Sequence, residues 1–189
     1  MKRYLTMTVA LIAAAAFIAG CKPSAKNEVQ YWENNRKDFA EAVAKYPAFK
    51  DVLNKKMAEA QKIWDESEKI SGDDAKAAKM KAANEKLNEL LNQFTQIKFK
   101  SQGIEDAVAK LNAKKLTTPE DITRTKAVNA ARASLKEVAD MLAGARPAGD
   151  EDTKKITGDA ISKLIGAQGD IDRAIKSFEP AKAAPAKKK

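Results

Sequence analysis

The chain has 189 residues, 44% apolar, 32% charged and 6% aromatic, with no histidine, one cysteine and a formal charge of +9. Lacking histidine, and with a single thiol, it cannot assemble the usual catalytic base, nucleophile or zinc-ligand sets, and haem attachment is excluded likewise. Eight of the 35 basic residues lie outside residues 27–180, leaving 27 bases against 26 acids in the body, so the basic stripe that a nucleic-acid binder needs on its folded surface is missing.

In chain order, Lys2 and Arg3 precede an apolar run from Leu5 to Ile18 that ends in Ile18-Ala19-Gly20-Cys21. The run is short of the ~20 residues that span a bilayer, and a charged start, an apolar middle and small residues before a cleavage point make an export signal. The four-residue ending resembles the lipobox of bacterial lipoproteins. That resemblance covers residues 1–21 and implies that residues 1–20 are removed, that Cys21 is lipidated on its thiol, and that the protein joins a membrane there. The alternative is an ordinary signal peptide that leaves a free Cys21. Cys21 is the only cysteine, so a lipidated chain holds no free thiol and no disulfide. Lys22 stands where the enterobacterial sorting pattern places Asp to retain a lipoprotein in the inner membrane. The resemblance therefore implies the outer membrane, periplasmic face. Residues 21–27 form the lipidated residue and a short linker.

Residues 28–180 are long enough for one helical domain with a core, and Ala, Lys, Glu and Leu dominate where strand formers would have to. The first helical stretch carries Trp32, Phe39, Val43 and Tyr46 on one face and meets Pro47. The pattern resumes through Phe49, Leu53, Ala60, Ile63, Trp64, Ser67 and Ile70. Proline either kinks or breaks the helix. A kink is expected, because no Gly or polar cluster accompanies Pro47 and chain reversal usually takes ~2–8 loop residues. Ser71-Gly72-Asp73-Asp74 then makes a turn with an acidic helix start.

The stretch from Met80 to Leu111 organises the chain, with apolar residues at steps of three and four interrupted only by Ser101. Such a stripe, held for more than four heptads, is the seam of a long bundle helix. Gly103 costs it about 1 kcal/mol, but the stripe keeps phase, which predicts one helix rather than two. Phe99 sits off the stripe between Lys98 and Lys100, as a surface aromatic, a second packing face or a binding hot spot. Thr118-Pro119-Glu120-Asp121 reads as N-cap, first-turn proline and acids. The helix that follows carries Ile122, Thr125, Val128, Ala131, Leu135, Val138 and Leu142 and ends at Gly144. The last helix follows Asp150-Glu151-Asp152, holds Ile161, Leu164, Gln168, Ile171, Ile175 and Phe178 on its stripe, and is weakened by Gly158, Gly166 and Gly169. Residues 181–189 are a basic Pro/Ala/Lys tail with nothing to bury, expected to be disordered.

The fold class expected is all-α: an elongated antiparallel helical bundle of about four arms, the first kinked or broken at Pro47. No catalytic residue, metal or cofactor is expected. The acidic runs fit helix macrodipoles and lack EF-hand spacing, and no GxGxxG or Walker sequence occurs. Trp32 and Trp64 belong to the core on their stripe positions, and Tyr31 and Trp32 could meet headgroups only as a minor role. What remains is a lipid-anchored envelope protein acting non-enzymatically as an interaction or structural module, with an envelope protein or peptidoglycan as partner. The alternative is a periplasmic carrier or chaperone holding an apolar ligand between its helices, which a large cavity lined by Trp32, Trp64 and Phe94 would favour. Lys187, Lys188 and Lys189 suit anionic lipid or cell wall. A kinked first arm would return the tail to the membrane-proximal end. The terminal Lys189 is similar, in that one respect, to the lipoprotein joined covalently to peptidoglycan.

Overall fold

Helical periodicity without strand formers yields helices throughout residues 24–178, which the computed structural model describes. The signal segment, Cys21, Lys22, Pro180 and the tail with Lys187, Lys188 and Lys189 lie outside the described residues. Among the described residues there are five helices and no strand: α1 (Ala25–Lys45), α2 (Lys50–Ser67), α3 (Asp73–Asn112), α4 (Thr118–Ala143) and α5 (Asp150–Ser177), with a single 3-10 turn, Pro47–Phe49, between α1 and α2. None is long and apolar enough to cross a membrane.

The described residues form two compact units. The first comprises residues 24–37 and Lys56–Leu87, so it holds the start of α1, most of α2 and the first part of α3. Trp32 and Trp64 stack here, with ring centroids 4.7 Å apart. A continuous helix would hold residues that far apart in sequence roughly 48 Å from each other, so the chain turns back at Pro47 and the expected kink is wrong. The tail's placement at the membrane-proximal end rested on that kink and falls with it. Salt bridges Glu66–Lys79 at 2.9 Å and Glu59–Lys86 at 3.6 Å fix α2 and α3 as an antiparallel pair. Gly72, at φ +115°, makes the turn between them, a conformation that a side chain resists.

The second unit comprises Asp38–Lys55 and residues 88–178. A turn as short as Pro47–Phe49 suffices because it is closed by apolar packing rather than by a polar loop. Tyr46 and Phe49, on either side of Pro47, both meet Phe94 of α3, at 5.1 and 5.2 Å between centroids, and Phe49 is fully buried. The α3 seam is buried as its spacing predicts, with Leu90, Ile104 and Leu111 inaccessible. Leu91 and Ala107 are buried beside it, which widens the seam into a face contacted from more than one side. Helix α3 is unbroken through Gly103, where an added Cβ would stand 3.2 Å from Gln168 Oε1 of α5.

Helix α4 begins one residue earlier than the sequence pattern suggests. Thr117 is the N-cap, and Glu120 reaches back to accept from its backbone N–H and its hydroxyl, so Pro119 falls in the second helical position. Its buried face runs through Val128, Ala131, Val138 and Leu142, whereas Ile122 is 55% exposed and Thr125 is exposed. The first turns of α4 are held by polar contacts instead, including Arg124 Nη1 donating to the Lys114 carbonyl. Gly144 caps the helix through its N–H to Asp140. Helices α4 and α5 pack as a hairpin with Glu137 bound to Lys163. Two fully buried threonines of α5, Thr153 and Thr157, satisfy their hydroxyls on the carbonyls four residues back.

Candidate interaction site

The clamp of Tyr46 and Phe49 on Phe94 seats the last turns of α1 against the middle of α3, both within the second unit. Beside it a cleft of about 80 Å³ opens between the two helices. Ala42, Tyr46, Leu91 and Phe94 form its floor, and Thr95 and Phe99 its α3 edge. The floor residues are buried, but Phe99 is 65% exposed, the largest exposure among the large apolar residues described. Its position off the seam puts it there: the turn that buries Phe94 and Ile97 leaves Phe99 facing outward at the mouth.

Charge surrounds this apolar floor. Asp38, Glu41 and Lys45 on α1 and Lys98 on α3 complete the lining, two acids and two bases. Both carboxylate oxygens of Glu41 approach Lys98 Nζ, at 2.7 and 2.8 Å. This bond, and then the charge of Lys98, lower the Glu41 pKa from its ordinary value. Lys45 Nζ lies 5.7 Å from the centroid of the Tyr46 ring, within cation–π range. Burial, and secondarily the Glu41 charge, raise the Tyr46 pKa. The phenol therefore stays neutral at physiological pH, and the cleft presents one apolar seat inside a charge-balanced rim. Its size admits a single ring or branched side chain, well below the roughly 300–1,000 Å³ of pockets that enclose small-molecule ligands.

The other sequence candidates lie elsewhere. Trp32 and Trp64 are stacked and 4% and 7% exposed, so each fills the space a ligand would need beside the other. A wider, open groove of about 390 Å³ lies between α3 and α4 over Val108 and Leu135, and contains neither tryptophan nor Phe94. Asp73 and Asp74 open α3, and Asp150, Glu151 and Asp152 open α5, where the helix dipole favours them. Among the described residues no group of three or more His, Cys, Asp or Glu is placed to hold a metal ion. Cys21, the lipidation candidate, lies outside the described residues.

Apolar spacing alone missed a buried polar cluster in the first unit. Asn84 Nδ2 donates to both the carbonyl and the carboxylate of Glu28, and Asn84 Oδ1 accepts from Asn35. Glu28 and Asn84 are 7% and 4% exposed. Lys56 is also buried, 3.7 Å from Glu59. Comparison of the chain with protein-family models, with well-described proteins and with solved structures gave no match.

Proposed function

We propose that this is a lipid-anchored protein of the bacterial envelope, held at Cys21 on the periplasmic face of the outer membrane, and that it acts without catalysis by presenting a helical interaction surface. The export signal and lipobox-like ending support the anchoring, and Lys22 supports the outer membrane under the sorting pattern. The observation that carries the interaction role is the exposed Phe99 at the mouth of an apolar, charge-rimmed cleft. An aromatic anchor beside a seat for one side chain, ringed by charge, has the anatomy of a protein-binding hot spot. The close stacking of Trp32 on Trp64 favours this role over that of an apolar-ligand carrier. An envelope protein is the partner such a seat suits best, with peptidoglycan left to the basic tail.

The test is photo-crosslinking in living cells, with a benzophenone amino acid replacing Phe99 and, as control, Ile122, which is similarly exposed on α4. The proposal expects a discrete adduct from position 99 and none from position 122. No adduct from 99, or the same adducts from both, would overturn it.

A further inference from the structure

A partner surface becomes specific when its own residues restrict what can sit on it. Among the described residues five large apolar side chains are exposed, Val29, Tyr31, Phe99, Ile122 and Ile165, and of these only Phe99 borders either cleft. The patch therefore carries a knob and a hole side by side. Phe99 stands exposed at the edge of that space rather than filling it, which leaves room for the same ring of a second molecule. In a two-fold contact the same patch faces itself, so a knob adjoining its own hole is used twice.

The charges restrict the arrangement further. Asp38, Glu41 and Lys45 are spaced three and four residues apart, so they share one face of α1, acids toward its start and the base at its end. All three are exposed. Placing two copies of α1 side by side in the same direction sets like charge against like. A two-fold axis through the patch reverses one copy and brings the acids of each against Lys45 of the other. The rim has no net charge, so neither copy repels the other as a whole.

We propose that a second copy of this chain occupies the cleft: Phe99 of each molecule inserts between Tyr46 and Leu91 of the other, with Asp38 of each facing Lys45 of its partner. This rests on the reading of the Phe99 patch as an interaction surface, and names what it binds.

Self-association is measured on the full lipidated chain in detergent micelles by sedimentation equilibrium. Micelles leave each anchor free to sit at either end of the pair, so the assay does not depend on how α1 tilts at a membrane. The wild type should be dimeric at micromolar concentration. Phe99→Asp should weaken the dimer at least about tenfold, as loss of a central aromatic hot spot does, while Ile122→Asp should leave it unchanged. Asp38→Lys and Lys45→Asp should each abolish self-association through like-charge contacts, and mixing the two variants should restore a dimer of one copy each. Both sites are exposed, and unchanged helical circular dichroism excludes unfolding as the cause. A monomeric wild type, a dimer indifferent to Phe99→Asp, or charge variants that fail to complement would each overturn the proposal. A photo-crosslinked adduct from position 99 to a different envelope protein would overturn this inference alone and leave the interaction role standing; absence of any adduct would remove that role itself.

Discussion

Trp32 and Trp64 lie face to face, centroids 4.7 Å apart and planes within 10° of parallel, although 32 residues separate them in the chain. Such stacked pairs are worth about 0.5–1.5 kcal/mol beyond their area burial. Replacing either Trp by Ala should therefore cost about 3–5 kcal/mol in denaturant unfolding. The far-ultraviolet circular dichroism should lose the same indole exciton couplet, superposed on an unchanged helical signal, in both variants. Two different spectral changes would mean that the rings do not form one pair, and with it the reversal at Pro47 would be lost.

The α3 seam gives a second prediction. Leu90 and Ile97 are 0% and 2% exposed, so Leu90→Ala and Ile97→Ala should each destabilise by about 2–5 kcal/mol by leaving cavities. Lys98→Ala breaks an exposed ion pair with Glu41 and should cost under about 1 kcal/mol. Ile122→Ala, on a residue that apolar spacing alone assigns to the core, should cost under about 0.5 kcal/mol. Thermal melts of the four variants check the ranking.

Asn84 ties α1 to α3 through three side-chain hydrogen bonds, two to Glu28 in the first turn of α1 and one to Asn35 farther along it. Asn84→Ala leaves the buried Glu28 carboxylate without its donor and should cost about 1–3 kcal/mol. Asn84→Asp should cost more, because it sets a second carboxylate against the first. Equal urea midpoints for Asn84→Ala and the wild type would show that the cluster contributes nothing.

Two groups give stability a pH dependence of opposite sense. Glu120 is held below its ordinary pKa of 4.5, first by the Thr117 hydroxyl and then by the Thr117 backbone N–H. Its contribution is present above the unfolded value and is lost as pH falls through the folded one. Tyr46 is raised above its ordinary 10.0 by burial. Its contribution is full below that value and is lost as pH rises through the folded pKa. Urea midpoints measured across pH should fall less steeply in acid for Glu120→Gln and less steeply in alkali for Tyr46→Phe than for the wild type. A variant that kept the full wild-type slope on its own side would contradict the assignment.

Much of this was legible in the sequence, and the failures share a cause. The α3 seam, the acidic starts of α3 and α5, and the end of α4 at Gly144 follow from local chemistry. Pro47 was misread because loop-length experience assumes a solvated, polar connection. Here Pro47 itself is exposed, but the turn is closed by its buried neighbours Tyr46 and Phe49 on Phe94, and that contact is nonlocal. Ile122 was misread because periodicity tells which residues share a face, not whether another helix covers that face along its whole length. Val43 is half-buried while Ala42 beside it is 5% exposed. Trp32, Phe39 and Tyr46 keep the expected face, and between Phe39 and Tyr46 it runs through the smaller Ala42 instead of Val43. The Asn84 cluster left no apolar trace to follow. Phe99 did leave one, as the aromatic that broke the stripe, but its neighbours Glu41 and Lys45 come from a different helix and only the fold brings them to it.

The proposed interaction role depends above all on the anchor, because a freely diffusing protein would meet different partners from one held at the envelope. Labelled palmitate fed to growing cells tests this directly, with the label followed in wild type and in Cys21→Ala. The wild type should take up label and fractionate with the outer membrane, where two or more acyl chains make release negligible, and Cys21→Ala should lose both label and membrane retention. An unlabelled wild type recovered in the soluble fraction would contradict the anchoring.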